Sequence, residues 1–471
     1  MIGRLIQKGL LNHLLDHRFV AIFLLCASLS VLGVYVGVQN YLRMRQQHQT
    51  VTHKNREHVQ KSIERGGWRG VTDLIRMGIL WNRPPEVLSP LIFGLSGKVG
   101  QEVVMKHQRM VLFEDSLFSV DPVNALLGVL DFRFIVKVIL SLCVLLLIHD
   151  AVCGEKEAGT LRLYASYPVP RSTLALAKLI GSTVAVLLPF AFAYTLAVAV
   201  LTLHPELDVK GQDWARMAVL MVLFGLYLTV FAAFGLWVSS ATHRRMTAFL
   251  GLLGLWTVWI FVLPDLAVRI AQWVVPVDSI YAQEKQRDAL RWTAMKGSRD
   301  EREAYESRNP VADWEALTDA QRARILEARA AAFGSIEAKW NAELHARVAE
   351  LRASRRNQMR RQQNLALWLS ALSPYGAATF TSMDLARTGI ARHNRIEDAL
   401  NTYLITLSQF ISSKLFKGDA DLSDFSWFVY EDTETLGSCL SRNAFHILNL
   451  ALLAVLGFAG AFVTILRYDV R

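Results

Sequence analysis

The sequence predicts a mostly α-helical, polytopic membrane protein with six transmembrane helices and two extracytoplasmic inserts, the first α+β and the second a long helical hairpin-like domain. The chain of 471 residues is 52% hydrophobic, and its mean hydropathy is +0.27. Its apolar residues form blocks of about 20 residues, the length that a helix needs to cross a bilayer. The net charge of +10 falls partly at the ends of these blocks and partly in one polar insert, which disfavours nucleic acid as a partner.

The first predicted element is an amphipathic helix at residues 1–18. Ile6, Leu10 and Leu14 form one apolar stripe, which is typical of a helix lying in the membrane interface. A simple extension of the first span is the alternative. The six spans are predicted at residues 19–38, 132–152, 179–203, 215–238, 248–270 and 444–466.

Insert 1, residues 39–131, opens with basic residues and then carries a Pro84-Pro85 break. Two runs rich in β-prone residues follow, Val87–Leu95 and Glu102–Phe113, with glycine and serine between them. Its aliphatic content predicts a small folded α+β piece rather than a linker.

Insert 2, residues 271–442, is predicted to be mostly helical. Between Asp313 and Arg360, apolar residues recur every three or four positions among charged ones, as in a solvated helix that pairs along one stripe. A second stripe from Ile396 to Ile411 could supply its partner helix. We therefore expect a helical hairpin outside the membrane, with a disordered charged loop as the alternative.

The short connecting segments predict the orientation of the chain. Basic residues gather in the N-terminal segment, in the loop at 153–178, in the turn at 239–247 and in the C-terminal tail. The turn at 204–213 on the opposite side is acidic on balance. Both termini and the 153–178 loop are therefore expected in the cytoplasm, and both inserts outside.

The loop at 153–178 is a short charged segment between two membrane-length apolar runs, which suggests a handle for a cytosolic partner. We assign its candidate coupling residues as Glu155, Glu157, Gly159, Thr160, Leu161, Pro168, Arg171 and Lys178. The two glutamates would contact a basic cleft on the partner, Gly159 would allow a helix boundary, and Thr160 would cap a helix. Prolines would end that helix, and the two basic residues would anchor the third span. An ordinary cytoplasmic loop is the alternative.

Ionisable residues near membrane depth are functional candidates. We assign pathway or gating roles to Lys137, Arg133, Asp150 and Asp265, with Lys137 the deepest; the alternative is that most of them snorkel to an interface. The sequence contains no G-x-x-x-x-G-K-[ST], H-E-x-x-H, C-x-x-C or G-x-S-x-G motif. We predict no catalytic residue, no metal site and no ATP bound by this chain.

The loop motif resembles that of ABC-2 type permeases, in which E-x-E-x-G-T-L precedes P-V-x-R and a lysine at the next span. Large inserts and several short motifs look like the subgroup carrying a DUF3526 domain, namely Asn82-Arg83-Pro84-Pro85, Asp131-Phe132, Leu372-Ser373-Pro374 and Asp384-Leu385-Ala386-Arg387-Thr388-Gly389. One departure is Ala386-Arg387, where a glycine is expected.

This resemblance implies the permease subunit of an exporter in a bacterial inner membrane, and not an enzyme. The implied partners are a cytosolic ATPase dimer carrying ATP and Mg²⁺, a second permease copy or paralogue, membrane lipid and a periplasmic protein. A mechanotransmission or scaffold protein that moves outer partners without passing a substrate is the main alternative. A membrane enzyme or secondary transporter using Lys137 is the third hypothesis.

Overall fold

The computed structural model describes residues 3, 6–7, 10–11, 14–15, 17–96, 99–105, 113–114, 131–160, 170–310, 314–315, 317–417 and 421–468. Two compact units make up the chain. The membrane unit combines Met1–Pro264 with Ser370–Arg471, and the hairpin unit is Asp265–Leu369.

The elements are predominantly helical, with three short strands. In chain order they are α1 His17–Arg65, α2 Gly67–Met77, β1 Ile79–Asn82, β2 Glu102–Met105, β3 Phe113–Glu114, α3 Phe132–Phe134, α4 Ser141–Ile148, α5 Cys153–Glu157, α6 Arg171–Thr202, α7 Gly211–Ala241, α8 Arg245–Thr257, α9 Leu263–Val274, α10 Ile280–Arg308, α11 Asp319–Ser370, α12 Pro374–Leu385, α13 Ile390–Lys417, α14 Leu436–Arg442 and α15 Ala444–Leu466. Two π-helical segments, Ile135–Leu140 and Val258–Val262, join α3 to α4 and α8 to α9.

Within the described residues, six helical stretches are long and apolar enough to cross a membrane. These spans 1 to 6 lie in His17–Arg65, Phe132–Glu157, Arg171–Thr202, Gly211–Ala241, Arg245–Val274 and Ala444–Leu466. The predicted fold class, a polytopic helical membrane protein, is confirmed. Helix α1 continues through the start of insert 1 as far as Arg65, and α6 already begins at Arg171. A helix that has formed can continue beyond the apolar layer, because each added residue also adds a backbone hydrogen bond.

The core of the membrane unit is built around span 4. Phe231 of α7 is buried and meets the ring of Trp259 edge-on, with 5.5 Å between centroids. Span 6 packs closely on the same helix at Gly457. A Cβ added to this glycine would lie only 2.8 Å from the Cβ of Ala233. Small residues at such crossings let membrane helices approach, and here they seat span 6 on span 4.

Insert 1 folds as a three-stranded antiparallel sheet beside the extension of α1. The strand order is β1-β2-β3, with Ile79 opposite Met105 and Glu102 opposite Glu114. The predicted strand at Val87–Leu95 is wrong. Leu91 and Ile92 donate backbone hydrogen bonds to the Leu88 carbonyl, so this run consists of buried turns. Its apolar residues follow a spacing of three to four, and Pro84-Pro85 cannot donate to a ladder.

The stripe from Ile396 to Ile411 does not serve as the partner of the long helix of insert 2. It lies on α13 and packs in an apolar cluster with Val59, Leu74, Ile79 and Val103 of insert 1. Apolar spacing identifies a buried face but carries no information on its partner, and here the partner comes from a distant part of the chain.

The hairpin unit contains α10 and most of α11, which run antiparallel. Trp340 of α11 donates through Nε1 to Glu301 of α10 at 2.7 Å, and its indole lies where a Cβ on Gly297 would be. Arg302 pairs with Glu337 at 2.8 Å. The predicted helical hairpin is therefore present, with α10 as the partner of α11.

Helix α12 is short, apolar and buried in the membrane unit, although it belongs to insert 2. Helix α12 begins at Pro374, and Ser373 is its N-cap residue. The Ser373 side chain accepts from the backbone N–H of Tyr375. The same hydroxyl donates to the backbone carbonyl of Trp259 in span 5, and Asn449 of span 6 donates to the Ala371 carbonyl. One helix of insert 2 thus packs among the membrane spans.

Candidate functional site

The short helix α5 directly follows span 2 and forms the centre of the candidate site. Its first backbone N–H groups need acceptors. The hydroxyl of Ser239, at the end of α7, accepts from the N–H groups of Val152 and Cys153, both at 3.1 Å. The helix stops where Gly159 takes φ +72°, a left-handed conformation that glycine adopts without strain. Span 4 therefore holds the start of the helix that carries the loop motif.

The two glutamates of the motif form ion pairs within the chain. Glu155 lies 2.5 Å from the Lys178 ammonium of span 3. Glu157 accepts from the backbone N–H of Arg245 at 3.1 Å and lies 3.7 Å from the Arg245 guanidinium. These pairs connect α5 to the loop ends of spans 3 and 5, so the glutamates position the loop.

Lys156 and Arg171 bind backbone carbonyl groups at the ends of other spans. Lys156 donates to the carbonyl groups of Ser240 and Thr242, the latter at 3.3 Å, and lies over the ring of Tyr468. Arg171 donates to the carbonyl of Tyr468 at 3.0 Å, just beyond span 6. Cations are favoured at helix C-termini, where carbonyl groups are unpaired. The loop therefore has contacts with spans 3, 4 and 5 and with the end of span 6.

The N-terminal segment meets the same end of the bundle. Arg18 lies 3.4 Å from Asp150 at the loop end of span 2. A Cβ on Gly181 of span 3 would lie 3.6 Å from the Ile6 carbonyl, so the described helical residues of this segment run against span 3. Asp150, assigned from sequence to a pathway or gate, thus lies in an ion pair at the loop end.

The remaining residues of the loop motif are Thr160, Leu161 and Pro168. Thr160 donates to the carbonyl of Glu155 at 3.3 Å, which keeps its hydroxyl on α5. Leu161 and Pro168 lie outside the described residues. Sequence reasoning missed Ser239 and the pairing role of Arg245. The basic turn at 239–247 was a signal for the role of Arg245, because Glu155 and Glu157 on the neighbouring loop can pair with basic residues.

Lys137 lies in the first π-helical segment, at the insert end of span 2. Its ammonium donates to the Thr379 hydroxyl and lies 4.0 Å from the centre of the Tyr375 ring, both on α12. The carbonyl of Lys137 accepts from the Tyr227 hydroxyl at 2.7 Å. Such π-helical turns are frequent at functional sites. This one ties span 2 to α12, and the second π-helical segment contains Trp259, which also contacts α12 through Ser373.

The other two ionisable candidates, Arg133 and Asp265, each form an ion pair with a residue nearby in the sequence. Arg133 lies 3.3 Å from Asp131, and Asp265 lies 2.6 Å from Arg269 one helical turn away. Asp131 also caps α3 by accepting from the N–H of Phe134. Among the described residues, no group of three His, Cys, Asp or Glu side chains could hold a metal ion.

A network of ion pairs joins both inserts at the insert end of the membrane unit. Arg395 binds Asp432 in bidentate fashion at 3.0 and 3.1 Å and reaches Glu434 at 2.7 Å. Arg392 pairs with Glu86 of insert 1. Arg442 completes the network by pairing with Asp384 and Glu434. Two of the short motifs quoted from the sequence contribute to this network: 82–85, whose Pro84 carbonyl accepts from Arg392, and 384–389, whose Asp384 pairs with Arg442.

Arg387 explains why a glycine was expected in the last of these motifs. Among the described residues other than glycine, it alone has a positive φ, of 57°. Its neighbour Thr388 accepts from the backbone N–H of Leu95 at 2.9 Å, which joins the two inserts. The left-handed turn after α12 makes that contact possible, and glycine is the residue that adopts such a turn at least cost.

The free energy of unfolding is predicted to depend on pH through His393, which lies on the same helix as Arg392 and Arg395. Burial and the neighbouring Arg83 lower the pKa of His393 to about 4, whereas an unfolded histidine titrates near a pKa of about 6.5. Between these values the unfolded chain binds more protons, so the free energy of unfolding falls as the pH drops from about 6.5 to about 4. We expect His393→Gln to remove on the order of 3 kcal/mol of this dependence.

The measurement is the thermal unfolding midpoint in detergent between pH 7 and pH 4. His243→Gln is the matched control, because His243 is exposed. Parallel curves for wild type and His393→Gln would contradict the prediction.

The chain is similar to a family of transporter proteins and to curated relatives. Residues 5–415 match the family described as ABC-2 family transporter protein. Two curated relatives are both named "Probable ABC transporter permease protein NosY". The relative from Stutzerimonas stutzeri is 34% identical over 128 residues, which cover 26% of this chain and 45% of the relative. The one from Pseudomonas aeruginosa is 33% identical over 141 residues, covering 28% and 47%. The chain thus aligns with about half the length of these relatives.

Proposed function

This chain belongs to the ABC-2 family of transporter proteins, and we propose that it is the membrane-spanning permease subunit of an ATP-driven exporter. Separate cytosolic ATPase subunits bind ATP and Mg²⁺ and supply the energy. The protein is a multi-pass membrane protein, which we assign to the bacterial inner membrane with both termini in the cytoplasm. The proposed subgroup is the one that carries a DUF3526 domain.

The observation that carries this proposal is the connection of α5 to several spans at once. Glu155 binds span 3, Glu157 binds the start of span 5, and Ser239 of span 4 caps the helix. A partner that binds the loop and displaces α5 would move all three spans together. An ordinary connecting loop needs no such contacts, so this geometry favours the coupling role over that alternative.

We propose a second permease, a copy or a paralogue, as a further partner. Six spans are few for a complete pathway in this type of transporter, and a pair of subunits would present one loop to each member of an ATPase dimer. A periplasmic protein is the candidate partner for the inserts.

The proposed gate is α12 at the insert end of the bundle. Lys137 of span 2 donates to Thr379 of α12, the N-cap residue Ser373 donates to Trp259 of span 5, and Asn449 of span 6 donates to Ala371 just before α12. Motion of these spans would therefore reach α12. In this scheme Lys137 holds the gate and does not carry protons. Activity that survives Lys137→Ala would count against a secondary transporter or membrane enzyme that depends on this residue.

The test is purification of the chain together with the products of neighbouring genes. We expect an ABC ATPase to co-purify and transport to stop when the catalytic glutamate of that ATPase is replaced by glutamine. A complex that assembles but transports equally well with the inactive ATPase would overturn the proposal. Failure of any ATPase to bind would do the same.

A mechanotransmission protein is the second candidate, favoured by the long helical hairpin of α10 and α11. Such a protein would use the same ATPase coupling to move an outer partner. Replacing residues 298–339 with a short Gly-Ser linker removes the hairpin tip beyond the Gly297–Trp340 contact and leaves α12 in place. Loss of biological function with substrate transport retained would favour this candidate over the exporter.

A further inference from the structure

A cluster of arginines lies on α11 of the hairpin unit, close to the end of span 5. The segment Leu351–Leu369 contains five arginines and no acidic residue, and the arginines are Arg352, Arg355, Arg356, Arg360 and Arg361. Long solvated helices normally alternate the two signs of charge, as α11 does near its start. A basic segment of this kind attracts anions.

Two hydrogen bonds fix the position of this cluster beside the end of the helical stretch that contains span 5. That stretch ends at Val274. The Gln362 side chain donates to the carbonyl of Val275 at 2.7 Å, and Arg355 donates to the carbonyl of Asp278 at 3.2 Å. The helix from residue 355 to 362 therefore lies beside the residues that directly follow the helical stretch of span 5. Seven residues cover about 10 Å of helix axis, which is the order of the thickness of a headgroup layer.

Exposed aromatic residues of the hairpin unit indicate that this place lies at a membrane boundary. Trp273, at the end of span 5, is 84% exposed, and Tyr281 at the start of α10 is 77% exposed. Tryptophan and tyrosine are enriched at the boundary between apolar layer and water. The arginines thus lie at or just beyond an aromatic belt that belongs to the same unit.

Arg352 is buried and lies close to other basic residues, which disfavours its charge. Burial lowers the pKa of Arg352, and Arg287 of α10 and Arg356 lower it further. Arg291 on α10 and Arg361 on α11 are exposed. A bound anion would relieve the repulsion that acts on Arg352, and a phosphate matches the planar, forked geometry of guanidinium groups.

We propose that this cluster binds the headgroups of anionic phospholipids at the membrane surface and so holds the base of the hairpin unit on the bilayer. The assignment of that surface to the outer leaflet rests on the orientation proposed above, whereas the binding of anionic headgroups does not. Phospholipid is favoured over a soluble anion because the cluster lies at headgroup height, where phosphate groups are concentrated.

The test is native mass spectrometry of the full-length protein in detergent, titrated with phosphatidylglycerol or with phosphatidylcholine. We expect a preference for phosphatidylglycerol that falls about five-fold for each arginine lost, the factor that corresponds to about 1 kcal/mol per basic residue at an anionic surface. The variant carries Arg355→Gln, Arg356→Gln, Arg360→Gln and Arg361→Gln. The matched control carries Arg308→Gln and Arg324→Gln, which are exposed and far from the cluster along the hairpin.

Two further arms keep the proposal falsifiable. A variant with lysine at the same four positions retains the charge and is expected to keep most of the preference, which separates charge from folding defects. Addition of inorganic phosphate is expected to leave the lipid adducts in place. Equal binding of the two lipids by wild type, an unchanged preference in the glutamine variant, or displacement of phosphatidylglycerol by millimolar phosphate would each overturn the proposal.

Discussion

Replacement of Glu155 by lysine is expected to uncouple the transporter from its ATPase, and an added Lys178→Glu exchange is expected to restore coupling. In the single variant two ammonium groups would meet where an ion pair of 2.5 Å now joins α5 to span 3. Both side chains are largely shielded from water, at 30% and 16% exposure. Loss of one partner in such a pair costs on the order of 1–3 kcal/mol, so we expect about ten-fold or more loss of transport-coupled ATP hydrolysis.

The double exchange separates two roles for Glu155. If its task is to position the loop by binding span 3, an ion pair with the two charges swapped does the same, and activity returns. If the carboxylate contacts the ATPase directly, the double variant stays as inactive as the single one. The measurements are ATPase activity of the purified complex and the amount of ATPase that co-purifies.

Glu64→Lys is the matched control for this exchange. It makes the same change of charge at an exposed position of α1. Wild-type coupling in the Glu155→Lys variant would contradict the role that we assign to α5.

Replacement of Gly94 by alanine is expected to separate the two inserts and to destabilise the membrane unit by about 2–5 kcal/mol. Gly94 has φ +58°, which costs an alanine about 1–2 kcal/mol. An added Cβ would also lie 2.4 Å from the Thr388 hydroxyl and 2.5 Å from its carbonyl oxygen. The backbone would have to move apart at the point where Leu95 donates to Thr388.

The measurement is the thermal unfolding midpoint of the detergent-solubilised protein. Gly334→Ala is the control, because Gly334 lies in the helix α11 with open space around it. We expect that change to be neutral or to stabilise the protein by up to about 1 kcal/mol. An added Thr388→Ala is expected to restore only part of the loss, since the carbonyl remains. A Gly94→Ala protein that unfolds with the wild-type midpoint would show that the contact is dispensable.

The strand predicted at Val87–Leu95 and the partner predicted for the Ile396–Ile411 stripe were wrong for the same physical reason. The run Val87–Leu95 contains residues that suit either a strand or buried turns, and only the path of the chain after Pro84-Pro85 decides between them. The stripe at Ile396–Ile411 identifies a face that must be buried, yet hydrophobic burial is non-directional and accepts any apolar partner. That partner is insert 1, which lies far earlier in the chain.

The sequence by itself determined the membrane class, the six spans and the loop between the second and third of them. These features depend on local properties, namely the length of apolar runs, the distribution of basic residues and the turn chemistry around Gly159. Only the tertiary structure decided what the charged residues do. Glu157 meets Arg245, Lys137 meets Thr379 and Arg392 meets Glu86, although each pair is distant in sequence. Ion pairs and hydrogen bonds act over a few ångströms, and which charges come that close is set by how the helices pack.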